Sequence, residues 1–396
     1  MDRIRDKVQC NPTVKLTKGE MYPFVGIDRI TSGNRDIAIA DKEVYSGQSC
    51  SKFRKGDTIM ARITPCLENG KIAQYNLDSE IAMGSTELFV FREIENISDK
   101  DYIYYLIFTD YVRNNAVNSM TGASGRQRAD IKFIGKLKWN FPEYDVQCKI
   151  GKILSTYDDL IEKNNRKIEI LQDMAEELYK EWFVRRGNSN WEIVRLKDFG
   201  YDIESGNRPK GGIDASLKEG VPSLGAESID KLGVFDFLNV KLIPNEFFQK
   251  MKKGIGQDKD ILLYKDGAYI GKVTLFMDKF PFEQYAVNEH VFLIRAKNEL
   301  YQYYLYYTLN QQQYFTQMQN LNRNAAQPGL TPKDLNIIKL YKPDEVTVSK
   351  FNNAVEPILH NIFSISKQNN NLKQQRDLLL PRLMSGKLEV KVKQEV

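Results

Sequence analysis

The sequence predicts an α+β protein: two similar globular domains separated by two long helices that form an antiparallel coiled coil, with pseudo-two-fold internal symmetry. Three observations predict this. The chain matches itself at an offset of roughly 200 residues. Each half carries the same succession of strand-like and helix-like segments. Each half also ends in a long helix whose apolar pattern fits that of the other. The expected boundaries are residues 1–141 for the first domain, 142–186 for the first long helix, 187–342 for the second domain, and 343–396 for the second helix and tail.

The repeat is read from short matches in common order. Tyr22-Pro23-Phe24-Val25-Gly26 is echoed by Val221-Pro222-Ser223-Leu224-Gly225, and Gly70-Lys71-Ile72 by Gly271-Lys272-Val273. Phe89-Val90-Phe91-Arg92 returns as Phe292-Leu293-Ile294-Arg295, and Tyr104-Tyr105-Leu106 as Tyr303-Tyr304-Leu305. Alternating β-branched and aromatic segments, such as Asp57 to Ile63 and Val287 to Arg295, predict strands. Aromatic helices are expected at Asp101 to Asn115 and Tyr301 to Met318, each followed by a polar loop, Thr121 to Gln127 and Asn322 to Gly329. Thr331 with Pro332 predicts a helix start, a cap followed by proline at the first position. A short strand then runs into Pro142 or Pro343.

In the first long helix, apolar positions step by four and three through Ile150, Leu154, Tyr157, Ile161, Asn164, Ile168, Leu171, Ala175, Leu178 and Trp182, the spacing of a coiled-coil seam. The second repeats it through Phe351, Val355, Ile358, Ile362, Ile365, Asn369, Leu372, Arg376, Leu379 and Leu383. An antiparallel register pairs Ile150 with Leu383, Leu154 with Leu379, Ile161 with Leu372 and Asn164 with Asn369. Two seam amides then satisfy one another, where a facing leucine would leave a buried polar group unpaired. Arg376 falls opposite Tyr157 and must snorkel or stack. Pro381 is expected to end the second helix before Leu383. The other reading is two amphipathic helices, each packed on its own domain. A seam of about 33 residues spans about 50 Å, or roughly 15 base pairs of duplex, which suits a target of two words separated by a fixed gap.

Particular phrases add to the layout. They are Gly56-Asp57-Thr58-Ile59-Met60-Ala61-Arg62-Ile63-Thr64-Pro65 with Glu68-Asn69-Gly70-Lys71-Ile72-Ala73, Asp158-Asp159-Leu160-Ile161-Glu162-Lys163-Asn164 leading to Trp182-Phe183, and Leu379-Leu380-Pro381-Arg382-Leu383-Met384-Ser385-Gly386-Lys387-Leu388. On these the chain resembles, over nearly its whole length, the specificity subunits of type I restriction-modification systems. The resemblance implies two target recognition domains, each reading one half of a bipartite, gapped duplex DNA site. It also implies helices that dock two copies of an adenine-N6 methyltransferase subunit, with restriction/translocase subunits in the full complex. S-adenosylmethionine, ATP and Mg would belong to those partners, and this chain would hold no cofactor and no metal. The sequence departs from the pattern in two places. Arg3-Ile4-Arg5-Asp6 is a shorter opening than Trp191-Glu192-Ile193-Val194-Arg195-Leu196, and the second half has Tyr264-Lys265-Asp266-Gly267 where the first has Arg-Ile-Thr-Pro.

The composition agrees with a non-catalytic protein of the cytoplasm. Of 396 residues, 42% are hydrophobic and 28% charged, and 57 Lys+Arg against 52 Asp+Glu leave a net charge of +5, which permits a polyanionic partner without demanding one. No apolar run reaches a membrane span, and the first residues lack the apolar stretch of a signal peptide. Four cysteines and two histidines supply no metal-ligand spacing. None of Gly70-Lys71, Gly151-Lys152, Gly271-Lys272 and Gly386-Lys387 is followed by Ser or Thr, so no phosphate-binding loop is expected. Asn11-Pro12-Thr13 is not an amino-methyltransferase motif, and Pro343-Asp344-Glu345 lacks the lysine of a nuclease site. His290, expected in a strand, and His360, at an outward helix position, read as surface residues.

Duplex recognition calls for Arg and Lys on phosphates and for Arg, Lys, Asn or Gln on base edges. Three polar regions supply them. Arg62, Thr64, Asn69 and Lys71 pair with Lys265 and Lys272 of the other half; Arg126, Gln127 and Arg128 pair with Asn324 and Gln327; and Arg208 and Lys210 stand in Ser205-Gly206-Asn207-Arg208-Pro209-Lys210 without a counterpart. A coiled-coil scaffold whose domains bind protein or RNA is the rival reading.

Overall fold

A computed structural model describes residues 1–37, 39–123, 125–187, 190–267, 269–322 and 329–391. The chain divides into two units, Met1–Lys163 with Asn371–Val396, and Asn164–Asn370, so each unit takes part of both long helices.

The first unit is built around a four-stranded antiparallel sheet ordered Val8–Cys10, Leu88–Glu93, Thr58–Ala61, Ile72–Gln74. Period-two alternation divides its side chains between two cores. Met60, Ile72, Phe89 and Phe91 face a helical layer, whereas Ile59, Ala61, Ala73, Leu88 and Val90 face a second sheet. That sheet runs Asp41–Val44, Met21–Val25, Ile81–Gly84, Ser51–Arg54, with its central pair parallel. The expected aromatic helix is two, Lys100–Phe108 and Asp110–Asn118. Thr109 breaks it: its backbone is extended, and its hydroxyl donates to Leu106 O (2.6 Å) and accepts from Val112 N (3.4 Å).

The second unit repeats this order. Its sheet runs Tyr201–Ser205, Val291–Ala296, Ile261–Tyr264, Val273–Leu275, and its three-stranded companion sheet again contains a parallel pair, Val221–Leu224 with the edge strand Ala286–Val287. His290 is in the turn between Ala286–Val287 and Val291–Ala296, not in a strand. The expected helix from Tyr301 to Met318 is a 3-10 turn, Glu299–Tyr301, and two helices, Gln302–Leu309 and Gln312–Asn322. Helix Pro332–Asn336 begins at Thr331, whose N (2.7 Å) and Oγ1 (2.6 Å) both donate to Asp334 Oδ2. The short N-terminal opening makes the pairing that its longer counterpart makes. Asp2–Arg3 pairs with Lys138–Trp139 as Glu192–Arg195 pairs with Lys339–Lys342, and Ile4 and Leu196 are both fully buried.

The same ion pair, built on a buried aspartate, closes each sheet. Asp57 holds Arg92 through Nε (2.7 Å) and Nη2 (2.6 Å), and Asp260 holds Arg295 through Nε (2.6 Å) and Nη2 (2.7 Å). Each carboxylate also caps its turn, accepting from Arg54 N and Gln257 N respectively.

The long helices are Tyr144–Tyr179, ending in a π-helical turn Lys180–Arg185, and Glu345–Met384. In the first unit Ile150 and Leu154 share a core with Leu383, Met384 and Leu379. In the second, Ile168, Leu171 and Ala175 share one with Phe351, Val355, Ile358, Ile362 and Ile365. Ile161 and Ile362 are buried, and Leu171 and Leu372 half-buried.

Three expectations for the helices are corrected. Asp158, not Tyr157, points inward, and it takes Arg376 in a buried ion pair. The guanidinium lies 5.8 Å over the Phe108 ring and Nη1 donates to Gly33 O (3.3 Å), while Tyr105 donates to the same carboxylate. A buried cation needs an anion more than it needs an outlet to water. Farther along, Tyr179 and Phe183 are buried where Leu178 and Trp182 were expected. An α-helix drifts away from a seam of period 3.5, and here it drifts onto the aromatic cluster of Tyr304, Tyr307 and Phe351. Pro381 does not stop the second helix, which continues to Met384. Burial of Leu383 and Met384, with Ser385 donating from N (3.2 Å) and Oγ (2.6 Å) to Pro381 O, offsets the one backbone hydrogen bond that proline lacks.

Candidate nucleic-acid interface

Arg62 leaves the end of strand Thr58–Ala61, and three backbone hydrogen bonds place it. Ala61 N donates to Lys71 O (3.0 Å), Arg62 N to Glu87 O (2.9 Å) and Ala129 N to Arg62 O (2.8 Å). The second unit makes the same three: Tyr264 N to Lys272 O (2.9 Å), Lys265 N to His290 O (3.1 Å) and Leu330 N to Lys265 O (2.6 Å). Arg62 and Lys265, and Lys71 and Lys272, therefore hold equivalent backbone positions. Both cations of the first pair sit over equivalent rings, Arg62 at 5.7 Å from Phe89 and Lys265 at 4.9 Å from Phe292.

In the first unit the structure brings Arg62 and Arg128 together on Glu87, and Thr64 onto Gln127. Arg62 Nε donates to Glu87 Oε2 (3.1 Å), and Arg128 lies alongside the same carboxylate, Nη2 at 2.6 Å from Oε1 and Nε at 2.9 Å from Oε2. Hydrogen bonding from Arg128, then Arg62, holds the Glu87 carboxyl below its usual range against the opposing effect of burial. Thr64 N donates to Gln127 O (3.0 Å), tying the hairpin loop to the segment that carries Arg128. Arg126 is exposed and has no side-chain partner among the described residues. Asn69 and Lys71 lie at the far end of the hairpin loop. Ser32 Oγ donates to Asn69 O (2.5 Å), and Lys71 Nζ to Ile27 O (2.8 Å). Gly70 has φ +69°, a left-handed conformation that favours glycine, and a Cβ there would come closest to the far end of the Arg113 side chain, Nη2 at 2.8 Å.

In the second unit Arg208 is held side-on by Glu289, Nε to Oε1 at 2.6 Å, and its Nη2 also reaches His290 Nε2 (2.6 Å). His290 Nδ1 bonds Asp266 (2.8 Å). Lys272 Nζ is 3.3 Å from Asp230 Oδ1. Lys210 is exposed, and with Asn207, Arg208, Gly212, Phe247 and Glu289 it lines an open depression. Asn324 and Gln327 lie outside the described residues.

Sequence reasoning missed Glu87, Glu289, Asp266 and Arg113, and read His290 as an ordinary surface residue. The match of Phe89–Arg92 to Phe292–Arg295 pointed to this place, since Glu87 and His290 stand just before those strands. Among the described residues there is no cluster of three His, Cys, Asp or Glu side chains placed to hold a metal ion, and no helix long and apolar enough to cross a membrane.

Residues 7–172 and 188–375 each match the family model of the type I restriction modification DNA specificity domain. The type I restriction enzyme MjaIX specificity subunit of Methanocaldococcus jannaschii is 26% identical over 336 residues, covering 78% of this chain and 75% of that protein. The putative type I restriction enzyme MjaX specificity subunit of the same organism is 24% identical, covering 98% of this chain and 92% of that protein. The fold is similar to the S subunit of a type I restriction-modification system from M. genitalium, with a TM-score of 0.56 and 15% identity over 97% of this chain and 95% of that one.

Proposed function

The chain belongs to the family of type I restriction-modification DNA specificity subunits, and from that premise we propose that each unit reads one word of a bipartite, gapped duplex target. The protein gives DNA sequence specificity to a type I restriction-modification system. The rival reading, a scaffold for protein or RNA, finds no support in the matched relatives.

One observation carries the two-word reading. The same three backbone hydrogen bonds hold one loop site in each unit, yet the side chains there differ: Arg62, Glu87 and Arg128 in one, Lys265, His290 and Arg208 in the other. A fixed backbone with exchanged polar side chains keeps the docking geometry and changes the word, because base edges are read by the donors and acceptors presented to them. Arg126, Lys210 and the lysines at 71, 265 and 272 add positive charge for phosphates, and Asn69 adds a neutral amide.

The chain itself is non-catalytic and holds no cofactor. It works in the cytoplasm with two copies of an adenine-N6 methyltransferase subunit and, in the full complex, with restriction/translocase subunits. Partner subunits supply S-adenosylmethionine, ATP and Mg. The long helices offer the docking face, on which Ile170 and Met174, one turn apart on the first helix, are 59% and 50% exposed.

Co-expression with a cognate type I methyltransferase subunit, in a host lacking DNA methylation, tests the reading. The expected result is N6-methyladenine at one gapped, two-word motif, absent when this chain is omitted. Methylation at an ungapped motif, or without this chain, would overturn it.

A further inference from the structure

The turn that enters the central strand of each unit meets an arginine in the same way, with different atoms. In the first unit Glu87 takes Arg128 side-on through Nε and Nη2, and also accepts from Arg62 Nε. In the second, Glu289 takes Arg208 side-on through the same two nitrogens, and His290, which has the backbone place of Glu87, accepts from Nη2. A guanidinium only donates, so His290 Nε2 is an acceptor and Nδ1 carries the proton that bonds Asp266. The two arginines arrive from unrelated loops. Arg128 lies just before helix Ile131–Lys136, and Arg208 follows strand Tyr201–Ser205. Two different loops thus deliver an arginine to one backbone position.

In both cases the edge that is bound is Nε with Nη2. Nη1 of Arg128 and of Arg208 has no partner among the described residues, and neither does the Nη1/Nη2 end of Arg62, which Phe89 backs. Both arginines are partly exposed, at 44% and 35% of their side chains. A carboxylate beside each arginine works against attraction of phosphate, because it cancels charge. It favours reading of bases, because it fixes the direction of a donor-only group in advance. The acceptors that match such a group are guanine O6 and N7 in the major groove, open to both Nη atoms of Arg128 and Arg62 and to Nη1 alone in Arg208, whose Nη2 hydrogens go to Glu289 and His290.

We propose that Glu87 and the Glu289–His290 pair are positioning residues that aim Arg128, with Arg62, and Arg208 at guanine. Each word then contains a guanine whose acceptance depends on the turn of that unit. This rests on the reading of the two units as DNA readers.

The experiment is the methylation map of the co-expressed complex, repeated with Glu87→Gln, Arg128→Lys, His290→Gln and Arg208→Lys, alongside the melting temperature of each purified complex. Glu87→Gln and Arg128→Lys should each relax one guanine of one word, raising methylation at sites with another base there by roughly tenfold or more, and leave the other word intact. His290→Gln and Arg208→Lys should do the same in the other word only. A uniform fall at all sites with both words unchanged would overturn the proposal, since that is what a phosphate contact or a structural residue gives. Relaxation of both words by one substitution would overturn it too. If either turn substitution yields no soluble complex, the surface substitutions Arg128→Lys and Arg208→Lys decide. A wild-type map without a gapped motif would instead refute the two-word reading itself.

Discussion

Asn164 donates its side-chain amide to Asn369 Oδ1 at 2.9 Å, and the two residues come from the two long helices. Both are buried. Asn164 Nδ2 also reaches Gln368 Oε1 (3.3 Å), and Asn369 Nδ2 donates to Asn165 Oδ1 (2.9 Å), so the pair is the centre of a small amide network. Replacing Asn164 alone by Leu strands the Asn369 carbonyl and should cost about 1–3 kcal/mol. Replacing both Asn164 and Asn369 by Leu should cost less, because neither polar group is then left unpaired. Urea unfolding of the single and double variants measures this, and equal losses would refute the pairing.

Asp158 and Arg376 should be far less tolerant of single changes. Burial pushes the Asp158 carboxyl up, while Arg376 and then Tyr105 pull it back. Removing Arg376 alone, as Arg376→Ala, leaves a buried carboxylate uncompensated and should cost about 3–5 kcal/mol. The joint change Asp158→Leu with Arg376→Met removes both charges and should recover much of that loss. A double-mutant cycle by chemical denaturation gives the coupling, and additive losses would show that the pair is not a unit.

Glu87 gives a pH dependence of known sign. Its folded carboxyl titrates below the usual glutamate value, chiefly through Arg128 and Arg62. Stability from that difference is full above the unfolded value of about 4.3 and is lost as pH falls through the lower folded one. Wild type should therefore lose stability relative to Glu87→Gln as pH drops across that window, and the two should run parallel above it. Melting temperatures across pH 3 to 7 would show parallel curves throughout if the carboxylate were unpaired in solution.

The exposed pair Ile170 and Met174 should matter to assembly and not to folding. Ile170→Lys with Met174→Lys should leave the melting temperature of the isolated chain unchanged and abolish co-purification with the methyltransferase subunit. Undiminished co-purification would place the docking face elsewhere.

Circular permutation tests the layout of the chain. Ile4 and Val390, near the two ends, pack in one core of the first unit. Joining the ends through a short linker and opening the chain within residues 187–190 should give soluble protein with an unchanged methylation motif. Insoluble protein would count against it.

The repeat, the mixed α+β class and the two long helices are legible in the sequence because they rest on periodicity. Strand alternation, a seam of apolar residues and an echo such as Phe89–Arg92 with Phe292–Arg295 survive without coordinates, since burial of one face requires them wherever the element packs. The places where the pattern misleads are those where a neighbour outweighs local preference. Thr109 breaks a helix by binding its own backbone, Pro381 stays helical because Leu383 and Met384 are buried, and Tyr179 replaces Leu178 because an aromatic core stands on that side. The candidate arginines and lysines could be named from residue type. Only the tertiary structure decided which of them meet, because Glu87 with Arg128 and His290 with Arg208 are joined through sheet and turn geometry that no sequence spacing encodes. Local propensity and apolar period belong to the chain, whereas the partner of a polar side chain is set by which distant turn the fold brings beside it.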